Sequence, residues 1–98
     1  MGYIYRLYLV GYAVGMDYPV RTPSQLGLAL KARRKVSGLT QAQAAQKVGL
    51  FPKTVSALEG RPEASSVESL LKLIAALDLE LVLRPKDENL PTGQKGEW

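Results

Sequence analysis

The 98-residue chain contains no cysteine and no histidine. The first absence excludes disulfides and thiolate nucleophiles, and the second removes the commonest general base. Together they exclude every Cys/His zinc arrangement. Carboxylates are few, three Asp and six Glu, and none are spaced like a calcium-binding loop. The inventory argues against an enzyme and calls for no cofactor. No apolar run reaches the about 20 residues that a membrane-spanning helix needs, so no membrane partner is expected. A cysteine-free chain suits a reducing compartment, which makes the cytoplasm the expected location. The length fits one small domain with tails, and its limited interior points to marginal stability alone or to a dimer.

The opening MGYIYRLYLVGYAVG is rather apolar, yet it holds Arg6 and four tyrosines. It lacks the basic start, the clean apolar core and the cleavage site of a secretory signal. Three readings remain for residues 1–18 as an N-terminal extension. They are a disordered tail, an added edge strand, or a segment skipped when translation begins at Met16.

Charge is unevenly placed. Residues 18–62 hold eight basic side chains against Glu59 alone, a balance of +7, whereas residues 63–98 hold four against seven acids, a balance of −3. A basic half of this kind is suited to approach a polyanion, although basic residues also solvate ordinary helix faces.

The element pattern is mainly helical. Pro23 followed by SQLGLALKARRKVS reads as a helix capped by Thr22 or Ser24, with Leu26, Ala29 and Leu30 inward, Val36 extending the stripe and Gly38 ending it. Thr40-x-x-Gln43 is a capping box that opens a helix over 41–48, ended by Gly49. Pro52 opens a third helix to Glu59, with Val55 and Leu58 inward. Ser65-x-x-Glu68 reads as a second capping box, followed by an apolar stripe of Val67, Leu70, Leu71, Ile74 and Leu77. Leu79, Leu81 and Leu83 then alternate, which predicts a strand over 79–84 ended by Pro85. A lone strand needs a partner. The same strand in a twin subunit is the first choice, and the Tyr-rich N-terminus is the second. Residues 85–98, PKDENLPTGQKGEW, read as a flexible tail ending in the only tryptophan, Trp98. That residue is either idly exposed or an anchor for a partner's pocket.

The segment 39–59 concentrates the functional signal. Ala45 is small where a second helix crosses, Gly49 permits a sharp turn, and Val48, Leu50, Val55 and Leu58 lock two helices at a fixed angle. Thr40 and Gln41 sit where a helix start would face a phosphate. A plain helical bundle would share this packing but has no need of the +7 balance.

These residues resemble the Xre/Cro-type helix–turn–helix regulators. More narrowly, through Pro23-Ser24-Gln25-Leu26, the strand after Leu77-Asp78-Leu79 and the closing Glu97-Trp98, they resemble the HipB antitoxins of bacterial toxin–antitoxin operons. The resemblance covers residues 19–98. It implies a mainly α, lambda-repressor-like helix–turn–helix bundle of four to five helices. The DNA-binding domain would span 19–78, followed by a dimerisation strand over 79–84 and a flexible tail over 85–98. It implies a homodimer in which the C-terminal strands of two subunits pair through Leu79, Leu81 and Leu83. It further implies repression of the chain's own promoter at a palindromic double-stranded DNA operator, hence nucleoid association when bound. A HipA-like serine/threonine kinase toxin would be bound and neutralised, with Trp98 in contact with it. The chain itself carries neither the Gly-rich loop nor the catalytic Asp motif of a kinase.

Three positions depart from the family pattern. Arg33 stands where an apolar residue is usual, and its stem is expected to cover the core while its charge reaches solvent or phosphate. Phe51 replaces a polar cap, with ring packing expected to offset the loss in part, and Pro52 cannot donate a hydrogen bond to a base. Within this frame Lys53, Thr54, Ser56 and Ala57 form the base-facing set, Lys53 toward guanine and the Thr54 or Ala57 methyl toward thymine. Arg33, Arg34, Thr40, Gln41 and Lys47 form the phosphate set. For Arg34, an internal pair with Glu59 is the rival role. Two other function classes remain open: a stand-alone repressor without a toxin, and a protein-interaction module that has lost DNA binding.

Overall fold

The computed structural model describes residues 5–11 and 17–85. Its first two elements are the strands β1 (Tyr5–Gly11) and β2 (Asp17–Val20). Four helices follow, α1 (Pro23–Val36), α2 (Gln41–Lys47), α3 (Pro52–Gly60) and α4 (Val67–Ala76), then the strand β3 (Leu79–Pro85). A single 3-10 turn, Pro62–Ala64, links α3 to α4.

Local chemistry accounts for most of the helix starts. The Thr22 hydroxyl accepts from the Gln25 N–H at 3.1 Å, and Pro23 occupies the first turn without losing a bond. Around Thr40 the capping box is reciprocal. Its hydroxyl accepts from the Gln43 N–H at 3.1 Å, while its own N–H donates to Gln43 Oε1 at 2.8 Å. The cap of α4 is Ser66 instead of Ser65, and it accepts from the Ser69 N–H at 3.0 Å. The expected box with Glu68 therefore does not form; Glu68 instead pairs with Lys72, one turn on, at 3.2 Å.

The core is continuous from the sheet through all four helices, built on Leu9, Leu30, Val55, Leu58, Leu73 and Leu77, each fully buried or within 1% of it. Three expected core positions are corrected. Val36 is 64% exposed, since it lies past the buried turn of α1. On α4 the inward stripe is Leu70, Leu73, Ile74 and Leu77, a regular i, i+3, i+4, i+7 series that leaves Val67 and Leu71 outside. The helices α1 and α3 approach each other closely at Gly27. A Cβ placed on Gly27 would meet the Glu59 carbonyl oxygen at 2.4 Å, so glycine is required there.

The three strands form one antiparallel sheet in the order β2-β1-β3. The Tyr-rich N-terminal stretch thus takes one edge of β3, with Leu7 opposite Leu83, Leu9 opposite Leu81 and Gly11 opposite Leu79. Among the described residues, the other edge of β3 pairs with no strand. β2 tolerates Pro19 because it lies at the sheet's opposite edge. Along β3 the inward leucines emerge stepwise from the bundle, Leu79 buried, Leu81 38% and Leu83 65% exposed. On the other face the Arg84 guanidinium lies 4.6 Å from the centre of the Tyr8 ring. The tail with Trp98 lies outside the described residues, as do residues 12–16.

Candidate nucleic-acid interface

Four residues turn the chain between α2 and α3. Gly49 takes φ 71°, where a side chain would be strained, and the Leu50 N–H donates to the Ala45 carbonyl at 2.9 Å. Ala44 and Ala45 are buried under the crossing helix, and Val55 and Leu58 fill the interior from α3. This geometry fixes the outer face of α3. Lys53, Ser56 and Ala57 are exposed on it, and Thr54 is half-buried.

The base of α3 is anchored through its last turn. Arg34 donates from Nε to Glu59 Oε2 at 2.6 Å and from Nη2 to Glu59 Oε1 at 3.1 Å, a bidentate pair. Its third donor, Nη1, reaches the Leu39 carbonyl at 2.9 Å. The Gln41 amide adds a bond to Glu59 Oε1 at 3.1 Å. One carboxylate thus ties α1, the start of α2 and α3 together. Hydrogen bonding to Glu59 raises the affinity of Arg34 for its proton, burial opposes this, and the carboxylate charge adds to it.

Arg33 and Arg34 are therefore corrected as phosphate contacts. Both are buried, at 4% and 8% exposure. Arg34 is satisfied internally. Arg33 turns the other way and donates from Nε to the Leu77 carbonyl at 2.9 Å, capping the negative end of α4. Its guanidinium also lies against Gly11 of β1, where an added Cβ would sit 3.0 Å from Nη1. Its charge does not reach solvent. Of the remaining phosphate candidates, Thr40 and Lys47 are exposed and Gln41 is half-buried.

Subtracting the two buried arginines leaves the exposed positive charge of residues 18–62 on Lys31, Lys35, Lys47 and Lys53, together with Arg21 and Arg61. Lys31 and Lys35, four residues apart on the exposed side of α1, were not singled out by the sequence reading. The signal was present, since they flank the inward Arg33-Arg34 pair at helical spacing. The expected packing of the Phe51 ring is also corrected: it is 76% exposed, and no side-chain bond caps α3 at that position. Among the described residues, no group of carboxylates is arranged to hold a metal ion, and no helix is long and apolar enough to cross a membrane.

A tight-turn helix pair whose second helix presents a solvent-facing outer face defines the helix–turn–helix class, and the model of the helix-turn-helix domain family matches residues 25–85. The chain is 33% identical over 64 residues to Antitoxin HipB of Escherichia coli O6:H1, spanning 65% of this chain and 68% of that protein. To Antitoxin HipB of Escherichia coli K12 it is 31% identical over 64 residues, spanning 65% and 73%. Among solved structures it resembles a chain of the HipA-HipB-O2-O3 complex, at 29% identity and TM-score 0.67, over 69% of this chain and 96% of that one. A HipB-O4 20mer complex gives 29% identity and TM-score 0.66 over the same shares. The chain belongs to the HipB antitoxin family of helix–turn–helix DNA-binding regulators.

Proposed function

We propose that the chain is an antitoxin and autorepressor. As a homodimer it binds a palindromic operator, and it binds and neutralises a HipA-like serine/threonine kinase. The observation that carries the DNA half is the outer face of α3, where Lys53, Ser56 and Ala57 stand exposed on a helix–turn–helix frame. Thr54 joins them as the base-facing set, with Lys53 donating to guanine O6 or N7. Thr40, Gln41 and Lys47 hold phosphates and set register. Membership in a family whose namesake is solved in a HipA-HipB complex supports the kinase half.

The dimer is supported by the edge of β3 that pairs with no strand among the described residues, and by the leucines that emerge along it. Pairing of two such edges would hold the recognition helices one DNA turn apart, about 34–36 Å.

Binding to the upstream DNA of its own gene, followed by anisotropy across a salt series, tests the roles. Lys47→Ala weakens all duplexes alike and lowers the salt slope by about one charge. Lys53→Ala weakens the cognate duplex by about 1–3 kcal/mol and relaxes specificity at one position per half-site. Equal binding by both variants and wild type across the series contradicts these assignments. Co-purification of the tagged chain from its native cells then reads the partner. Recovery of a HipA-like kinase with promoter DNA supports the antitoxin, and promoter DNA alone supports the stand-alone repressor.

A further inference from the structure

Phe51 does nothing for the fold that a smaller residue would not do better. Its ring is 76% exposed, and it occupies the N-cap of α3 without a capping bond, where Ser, Thr, Asp or Asn would satisfy a backbone N–H. The next residue, Pro52, is exposed and has no N–H to offer. The leading end of α3 is thus an apolar Phe-Pro tip, set directly beside the exposed ammonium of Lys53. On a helix that enters a major groove, the N-terminal residues are those that meet base edges. Polar bonds to a base are unavailable to such a tip. The apolar feature in the major groove is the C5-methyl of thymine, which phenylalanine contacts by packing. The neighbouring Lys53, donating to a guanine, holds the tip against the base edges.

We infer that Phe51 is a specificity-determining residue that reads a thymine methyl group in each operator half-site. The inference rests on the DNA-binding reading and deepens it. It gives the tip of α3 a definite base preference, imposed by packing and not by hydrogen bonding.

The test uses the full chain and a duplex that wild-type protein selects from a random-sequence pool. Each thymine of that duplex is replaced singly by deoxyuridine, which removes only the methyl group. Wild type is expected to lose about threefold to fivefold in affinity at one thymine per half-site, the worth of one buried methyl. Phe51→Ala is expected to bind the thymine and uracil duplexes equally. Phe51→Ser provides the second readout. It supplies the missing cap, so its melting temperature rises while its affinity for the thymine duplex falls. Stability and affinity moving in opposite directions separates a reading role from a structural one. If Phe51→Ala keeps the wild-type sensitivity to uracil, or if no methyl matters to wild type, the inference is overturned while DNA binding stands. If the pool yields no selected duplex, the DNA-binding reading fails and the inference falls with it.

Discussion

Two adjacent arginines on α1 have opposite assignments, and neither faces solvent. Arg34 holds Glu59 from α3, and Arg33 holds the end of α4. Removing one partner of a buried pair strands the other charge. Glu59→Ala is therefore expected to destabilise the fold by about 3 kcal/mol and to lower the melting temperature by more than about 10 °C, read by thermal unfolding. An unchanged melting temperature would mean that the pair is dispensable. Because Glu59 holds the Arg34 proton more tightly than water does, the pair's contribution is complete below the ordinary arginine value and is lost only above the raised one. The pair therefore gives no alkaline loss of stability in the working range. At this scale the sequence was legible where a residue acts on its near neighbours, as in the Thr40 capping box. It was not legible for Arg33, whose acceptor, the Leu77 carbonyl, lies 44 residues away. Charge alone cannot tell a guanidinium aimed at phosphate from one that closes a distant helix.

Helix boundaries were legible to within a residue or so because capping and turn chemistry are local. Thr22, Thr40, Gly38 and Gly49 each act within one turn. The stripe of α4 was misjudged through its abundance of apolar residues. With Val67, Leu70, Leu71, Leu73, Ile74 and Leu77 all available, only the placement of β3, α2 and α3 against α4 selects which face turns inward. The α1–α3 crossing is likewise a long-range fact. Gly27 is an ordinary mid-helix glycine in the sequence, where alanine would improve helix propensity. In the fold, Gly27→Ala drives a methyl into the Glu59 carbonyl. The substitution is expected to destabilise by about 1–3 kcal/mol by denaturant titration, against the gain that propensity alone predicts. A stabilised variant would show that α1 and α3 can separate without cost.

For the whole molecule, the strand β3 has two edges in different states. One is occupied within the chain by β1, and the other is open among the described residues. The sequence named both partners as rivals, and the sheet has room for both, since each uses a different edge. What the sequence could not show was that the two need not compete, because strand alternation defines faces and carries no information on edges. Leu83 is the most exposed leucine of β3, at 65% exposure. Leu83→Asp is expected to leave the helical signal unchanged and to yield monomers by sedimentation, since like charges would face each other across a paired edge. A persistent dimer would place the subunit contact elsewhere.

The contact of Arg33 with Gly11 also has a reading in descent. A buried guanidinium on α1 is covered by a strand that lies before the helix–turn–helix, and a Cβ at Gly11 would sit 3.0 Å from it, close enough that the guanidinium would have to shift. The strand and the arginine are thus expected to have entered the lineage together. In an alignment of relatives, chains with the leading strand should carry arginine at position 33 and glycine at position 11. Chains without it should keep an apolar residue at 33, and the rare mismatch should mark a lineage in transition.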